Sequence, residues 1–467
     1  MVILKLSLYG HPDAGGYWEA HCKSKLEKAG FETVDDWTSV FWHPKLKLLL
    51  MVYVDDFKLS GPQVNLIKGW ALIRRSIQTD EPQMVNKCLG CEHTLVNTTV
   101  KGKSVKQMVY NMEPFMVSCV DSYLTLSKRD RSSLKFAATP FLDEDRVAED
   151  CAKDPIGTVG ALQPIASSVL MKILYAARLA RFDLLKAVAN LAQKVTKWDR
   201  GCDRMLHRLM CYINSSLDLR LKGHIGDNPQ DLVISLYSDA DFAGDKESSK
   251  STSGIFIALT GPNTFYPLNA TSRKQTCVSH STPEAEIVAA NAAIRTEGLP
   301  ALQLWEKVLG KKVDLILLED NTATMQVLKT GKNPTMRHLN RTHRVNFSWL
   351  SEVFRTCDQV HIAYCNTNEQ AADLLTKGFT NPVTWERVRS LIGIVPLKDK
   401  SNCYGTNTTK DQVDPGTLRT YAIGNNKASS QEQSRVKAAS PFVAVERYPP
   451  KDGCLIPAPR LSPHSSV

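Results

Sequence analysis

Four acidic residues stand where predicted strands end or where predicted helices begin. Asp239 closes one strand, and Asp320 follows a second, buried strand by two residues. Glu286 lies in the first turns of a helix, and Asp373 lies early in the last helix. Carboxylate oxygens are the ligands that hard cations such as Mg²⁺ or Mn²⁺ prefer. If the four acids meet at one end of a sheet, they can hold two such ions, which activate water and stabilise the leaving oxygen of a phosphodiester.

A simpler explanation exists for each acid alone. Asp and Glu are favoured at helix starts because the helix dipole is positive there. Carboxylates that are gathered together repel one another, so stability gives no reason to collect four of them. The hypothesis of a metal site therefore depends on all four acids together with their neighbouring residues.

The elements around these acids alternate between strand and helix. Apolar runs predict strands at 232–237, 255–259, 276–279, 313–318 and 360–365. Helices are predicted from Ser281 to about residue 297, from Thr322, and from about Glu369. Ser281 is a typical N-cap, with Pro283 in the first turn. This order predicts an α/β fold with a mixed sheet that is covered by helices.

The rest of the chain shows other patterns. A helix is predicted at 16–29, with Gly30 as its C-cap, and two apolar runs around Asp55 and Asp56 predict a β-hairpin with carboxylates at its tip. Helical spacing dominates residues 164–219, whereas residues 65–141 give no clear assignment. After Leu397 the chain is rich in proline and polar residues, which predicts a disordered tail.

The composition limits the class of protein. The 467 residues suggest roughly two to four domains, and a net charge of +10 is consistent with a polyanionic partner. Twelve cysteines are too few for a disulfide scaffold. Cys88 and Cys91 lack a second ligand pair at zinc-finger spacing and are expected to be packing residues. We expect an intracellular protein, cytoplasmic and/or nuclear, without a signal peptide and without a membrane partner.

Five motifs give these patterns a family resemblance. They lie at 237–245, 250–254, 281–286, 319–323 and 368–373. In this order they resemble the ribonuclease H domain of copia-type (Ty1-like) retrotransposons. The resemblance implies a ribonuclease H-like sheet and cleavage of the RNA strand of an RNA/DNA hybrid with two Mg²⁺ or Mn²⁺ ions. Asp239, Glu286, Asp320 and Asp373 would be the catalytic metal ligands, with Glu284 as the competing helix acid and Asp241 as a polar neighbour.

The hairpin near the start of the chain carries a second resemblance. Tyr53-Val-Asp-Asp56, together with Ser7-Leu-Tyr-Gly10, is similar to the palm of the copia-type reverse transcriptase. Asp55 and Asp56 would then be metal ligands. The family's further palm aspartate would precede Ser7, where only a few residues stand, so we expect a truncated polymerase without polymerase activity of its own. At most a vestigial dNTP site is expected, and no other small-molecule substrate.

These resemblances divide the chain into five predicted segments. They are a partial palm (1–125), a helical thumb-like or connection-like region (126–228), a ribonuclease H domain (229–380), a terminal helix (381–397) and a disordered tail (398–467).

A run of basic residues could hold the nucleic-acid backbone. The cations are Lys329, Lys332, Arg337, Arg341 and Arg344, with no acid between them. Such a run can neutralise phosphates without reading the base sequence. A solvated charged loop is the simpler alternative, and His338 and His343 are expected at the surface or beside phosphates.

Three functions remain open from the sequence. The first is a hybrid-cleaving nuclease fused to a polymerase remnant. The second is an active reverse transcriptase, against which the missing aspartate argues. The third is an inactive, domesticated or pseudogene remnant that binds nucleic acid without cleaving it.

Overall fold

The computed structural model describes residues 6–7, 11–84, 86–153, 155, 158–397, 441–446 and 456–457. The strands are β1 (Leu6–Ser7), β2 (Glu32–Val34), β3 (Trp37–His43), β4 (Leu48–Tyr53), β5 (Asp56–Pro62), β6 (Gln83–Met84), β7 (Lys87–Cys88), β8 (Cys91–Val100), β9 (Lys103–Asn111), β10 (Leu219–Ile225), β11 (Val233–Asp241), β12 (Thr252–Gly261), β13 (Thr264–Lys274), β14 (Leu315–Glu319), β15 (Val360–Tyr364), β16 (Ile394–Pro396), β17 (Pro441–Glu446) and β18 (Ile456–Pro457). The helices are α1 (Ala14–Lys28), α2 (Gln63–Arg74), α3 (Glu113–Ser127), α4 (Glu144–Cys151), α5 (Gln163–Leu179), α6 (Leu185–Ala192), α7 (Arg200–Ser215), α8 (Thr282–Ala293), α9 (Leu299–Leu309), α10 (Thr322–Thr330), α11 (Leu339–Thr342), α12 (Phe347–Thr356) and α13 (Pro382–Leu391).

Two compact units are formed by the described residues. The first comprises those of 1–88, 303–311 and 426–467, and the second those of 89–302 and 312–425. The boundaries of the five predicted segments stay a prediction.

The first unit is built around an antiparallel sheet in the order β2-β3-β4-β5-β17-β6. The predicted hairpin is confirmed, since β4 and β5 pair directly up to Tyr53 and Asp56. Val54 turns the chain with a φ of 53°. The predicted first helix is also confirmed, with Gly30 at a φ of 89° after its end. The core of this unit includes Phe31, Leu50 and Trp70 among its buried side chains.

The second unit is a mixed sheet flanked by helices, as expected. Its strands run in the order β15-β14-β11-β12-β13-β10-β9-β8, and β16 pairs with β10. β11, β14 and β15 are parallel neighbours, whereas β11, β12 and β13 are antiparallel. Nearly every residue of β11 and β12 is buried, because helices or turns cover both faces.

Three predicted elements near the acids need correction. Residues 276–279 are a loop, and the third strand is β13, which ends just before it. α8 ends at Ala293 and continues through a π-helical turn, Ile294–Gly298, into α9. Asp373 lies in a short 3-10 turn, Ala371–Leu375, and not in an α-helix. Such a turn places its side chains differently from a helix and needs only a few residues.

A single core extends through the second unit. Buried residues of α5 and α7, such as Leu170 and Leu209, belong to the same apolar cluster as Phe256 of β12 and Ala270 of β13. The predicted helical connection and the predicted ribonuclease H domain therefore share one core.

Most of the tail predicted as disordered, and most of the Ser7–Gly10 motif, lie outside the described residues. Two tail segments that are described, β17 and β18, form strands that pair with β5 and β1.

No helix among the described residues has both the length and the apolarity needed to cross a membrane.

Candidate active site

The strands bring two of the predicted acids to the same end of the sheet. β11 and β14 run parallel with Tyr237 opposite Leu318. Asp239 and Asp320 each follow these partners by two positions, so both stand at the carboxyl ends of neighbouring parallel strands. Asp239 is 2% exposed, whereas Asp320 is partly exposed.

Helix α8 brings Glu286 to the same place. Ser281 caps this helix by accepting a hydrogen bond from the backbone N–H of Glu284 at 3.4 Å, which confirms the predicted cap. α8 packs on β11 through Ala240, Ala285 and Ala289. Because alanine side chains are small, the helix can approach the strand closely. Glu286 is thereby buried beside the end of β11.

The 3-10 turn contributes the fourth acid. Asp373 is buried in this turn, and Gln370 just before it donates a hydrogen bond of 3.0 Å to the backbone carbonyl of Ser238. Gly254, opposite Asp239 on β12, makes the close approach possible. A Cβ atom at Gly254 would lie 2.9 Å from the carbonyl oxygen of Ala372.

A fifth acid, Glu319, belongs to the group and was not selected from the sequence. It is fully buried at the end of β14, and its Oε2 accepts a hydrogen bond of 3.2 Å from the Ser238 hydroxyl. The signal that could have found it is the pair of acids, Glu319 and Asp320, directly after an apolar run. We define these five residues as the acidic cluster: Asp239, Glu286, Glu319, Asp320 and Asp373.

Burial and mutual repulsion raise the pKa values of three acids in the cluster. Burial, followed by the charges of Asp239 and Glu319, raises the pKa of Glu286 to about 11. Burial and the neighbouring acids also raise the pKa of Glu319 well above its usual value. The pKa of Asp373 is raised to about 7, chiefly by burial and then by Asp239. Besides burial, the cause is repulsion among neighbouring carboxylates, which disfavours their charged form.

Two further residues contact the cluster and were also missed from the sequence. The Thr376 hydroxyl donates a hydrogen bond to Asp239. The ammonium group of Lys377 lies 2.5 Å from Asp373 Oδ1 and 3.4 Å from Asp239 Oδ1. Burial alone would lower the pKa of Lys377, but the two aspartates raise it above its usual value. Lys377 is therefore a positive charge shared between two acids of the cluster.

The donor chemistry of the cluster fits a hard cation. All its donors are carboxylate oxygens, and Glu286 Oε2 is buried without a hydrogen-bond partner. In the described part of the chain, however, no three His, Cys, Asp or Glu side chains are arranged so that they could hold a metal ion.

Glu284, the competing helix acid, is engaged elsewhere. Its Oε1 lies 3.1 Å from His338 Nε2 and 3.5 Å from His343 Nε2, and its Oε2 accepts from the backbone N–H of His280. The expectation that both histidines lie at the surface is wrong for His343, which is 9% exposed and whose pKa burial lowers. His338 is partly exposed and ties the basic run to α8.

The basic run is exposed throughout. All five cations are solvent-exposed, and they extend from the last turn of α10 to the loop before α12. They are Lys329, Lys332, Arg337, Arg341 and Arg344. Exposed side chains of this kind can reach phosphates.

Asp55 and Asp56 belong to the first compact unit, whereas the acidic cluster belongs to the second. Asp55 is exposed in the turn between β4 and β5, and Asp56 begins β5. Trp18 supports this turn by donating a hydrogen bond of 2.9 Å to the carbonyl of Val54. Their role as metal ligands stays a prediction.

Comparison with known proteins finds similarity to Ty1 Gag-Pol polyproteins of yeast. The Transposon Ty1-DR6 Gag-Pol polyprotein of Saccharomyces cerevisiae is 26% identical to this chain in an alignment of 399 residues that covers 81% of it. The chain is a homologue of Ty1 Gag-Pol polyproteins. The Truncated transposon Ty1-A Gag-Pol polyprotein of the same yeast is 25% identical over 394 residues. No family model matches the chain.

The match to the Ty1 polyproteins is partial on their side. This chain spans 21% of the Ty1-DR6 polyprotein and 31% of the truncated Ty1-A polyprotein. The homology supports a protein derived from the Pol part of a copia-type retrotransposon.

Proposed function

We propose that the chain is a divalent-metal-dependent nuclease that cleaves the RNA strand of RNA/DNA hybrids. The observation that carries the proposal is the buried, unpartnered Oε2 of Glu286 inside a group of five carboxylates. A buried carboxylate oxygen without a partner is costly unless something else satisfies it. The mixed sheet flanked by helices and the Ty1 homology support the same proposal.

In this proposal Asp239, Glu286, Asp320 and Asp373 would hold two Mg²⁺ or Mn²⁺ ions. Such ions supply a metal-activated water and stabilise the leaving oxygen of the phosphodiester. The protein's own residues position the ligands. Thr376 orients Asp239, and Ser238 holds Glu319 by its hydroxyl.

The exposed basic run is the part of the protein that would bind the substrate. Lys329, Lys332, Arg337, Arg341 and Arg344 would hold the backbone of the hybrid without reading its sequence. The contact of His338 with Glu284 ties this run to the helix that carries Glu286. Backbone binding and the proposed cleavage site are thus connected through α8.

Cleavage of a labelled RNA/DNA hybrid tests the proposal. We expect the wild-type chain to cut the RNA strand with Mg²⁺ or Mn²⁺ and to stop when the metal is chelated. Asp239→Asn should lower the cleavage rate by about two orders of magnitude or more, because a neutral amide binds the cation weakly. The matched control is Asp314→Asn, since Asp314 precedes β14 at the opposite end of the strand. Equal rates for wild type and Asp239→Asn would contradict the proposal.

A second candidate function is hybrid binding without cleavage. It is favoured by one observation, the position of the Lys377 ammonium group between Asp239 and Asp373. Salt-dependent binding of the hybrid, with no metal-dependent turnover in the same experiment, would support this candidate.

We propose further that the β4–β5 hairpin derives from a reverse-transcriptase palm. The support is the Asp55-Asp56 pair at a confirmed hairpin turn and the homology to Ty1 polyproteins. Polymerisation by this chain is not part of the proposal.

A further inference from the structure

Lys377 places a positive charge against acids of the cluster that the proposed function uses. Its ammonium group contacts carboxylate oxygens from two different elements, Asp239 on β11 and Asp373 on the 3-10 turn. The lysine follows Asp373 by four residues, and its side chain is 39% exposed. It therefore reaches the cluster from its solvent side.

We propose that Lys377 is a built-in counter-ion of the acidic cluster, which it holds together without metal and from which a divalent cation must displace it. This inference rests on the proposed metal-dependent function and adds a residue that controls metal affinity. Lys377 is a positioning residue here, because it acts through Asp239 and Asp373.

Electrostatics carries the first step. Five carboxylates at one end of the sheet repel one another, and burial weakens the screening by water. An ammonium group between two of them lowers this repulsion. Thr376 donates to the same carboxylate as Lys377, so the 3-10 turn is bound to β11 through Asp239 by two consecutive side chains.

Competition carries the second step. A divalent cation held by Asp239 and Asp373 needs lone pairs of their carboxylate oxygens. Oδ1 of both residues now faces the ammonium group. The same lone pairs cannot serve both cations.

The lysine side chain can move aside without unfolding the site. Because it is partly exposed and has four rotatable bonds, its ammonium group can turn to solvent while the backbone of the turn stays in place. Gln370 keeps the turn attached to β11 through the carbonyl of Ser238, independently of Lys377.

The test compares Mn²⁺ binding by calorimetry for the full-length wild type, Lys377→Met and Lys377→Arg. Removing the competing charge should tighten Mn²⁺ binding in Lys377→Met by about three- to tenfold, since one charge-assisted contact no longer has to be broken. Lys377→Arg keeps the charge and should bind Mn²⁺ within about twofold of wild type. A merely structural role predicts the opposite sign, because a distorted site binds metal more weakly.

Thermal unfolding gives a second readout. Without metal, Lys377→Met should unfold at a lower temperature than wild type, and Mn²⁺ should raise its unfolding temperature by more than it does for wild type. The matched control is Lys274→Met, which removes a lysine that pairs with Asp245 outside the cluster. This control should leave the Mn²⁺ affinity unchanged.

The possible results separate the inference from the proposed function. Tighter Mn²⁺ binding by Lys377→Met supports the counter-ion role even if no hybrid is cleaved. Equal or weaker Mn²⁺ binding by Lys377→Met overturns the counter-ion role even if the wild type cleaves the hybrid. Failure of every variant to bind Mn²⁺ also overturns it.

Discussion

At the scale of single residues, the acids of the site differ in whether their carboxylate oxygens already have hydrogen-bond partners. Glu284 and Glu286 are two positions apart on α8 and both are buried, yet their surroundings differ. Glu284 is hydrogen-bonded to His338 and to the backbone N–H of His280, whereas Glu286 Oε2 has no partner. This difference favours Glu286 as the helix ligand.

The raised pKa of Glu286 makes the stability of the metal-free protein depend on pH. Its pKa rises from the ordinary 4.5 to about 11, so between these values the folded state holds a proton that the unfolded chain has released. The free energy of unfolding therefore falls as pH rises, by at most about 1.4 kcal/mol per pH unit for this group. Asp373, with a pKa raised to about 7, acts in the same direction at lower pH.

Glu286→Gln should make this fall shallower, because glutamine does not titrate. We expect the variant to gain stability relative to wild type from about pH 5 to about pH 9. Urea unfolding with a chelator present measures the difference. Exposed Glu369, replaced by glutamine, is the control and should leave the slope unchanged. If the slopes of wild type and Glu286→Gln coincide, Glu286 does not titrate as described.

At the scale of elements, the basic run is a set of short pieces attached to a rigid helix. It includes the end of α10, the four-residue α11 and the loop before α12, in which Arg344 has a φ of 56°. The contact between His338 and Glu284 joins these pieces to α8. The run thus presents exposed cations close to the helix of the proposed site.

The double variant Arg337→Gln and Arg341→Gln should weaken hybrid binding in a way that depends on salt. Each lost phosphate contact lowers the slope of log affinity against log salt by roughly 0.7–0.9, so the slope should fall by up to about two. Filter binding at several salt concentrations measures it. The control is Arg355→Gln, an exposed arginine in the last turn of α12. An unchanged slope in the double variant would show that the run is only a solvated loop.

At the scale of the whole second unit, the predicted ribonuclease H segment is not a separate body. Lys186 of α6 donates hydrogen bonds of 3.0 Å to Asp241 and 2.8 Å to Thr252, at the ends of β11 and β12. Burial raises the pKa of Asp241, so this aspartate depends on its lysine partner. Helices before residue 229 therefore support the strand that carries Asp239.

A fragment of residues 229–380 should consequently be much less stable than a fragment of residues 89–397. It would lose the packing of α5–α7, and a fully buried Leu or Ile contributes about 1.5–3 kcal/mol. It would also expose the edge of β13 that pairs with β10. Circular dichroism during urea unfolding compares the two fragments. Equal midpoints would show that the shared core adds nothing to the nuclease segment.

Much of the local structure and the chemistry of the site could be predicted from residue order. The Asp-Asp hairpin, the Ser281 cap, the mixed sheet and four acids at element ends all follow from short-range patterns, namely apolar runs, turn residues and capping residues. Such patterns depend on neighbours in the chain, so the sequence carries them directly.

Only the tertiary structure decided how these pieces combine. Parallel pairing places Glu319 in the acidic cluster, and the 3-10 turn before Lys377 brings this lysine into contact with it. No local pattern in the sequence records these contacts. The pairing of β10 with β9, which extends the sheet, joins residues more than a hundred positions apart. Sequence alone thus determined which side chains could bind a cation, and folding decided which of them face one another.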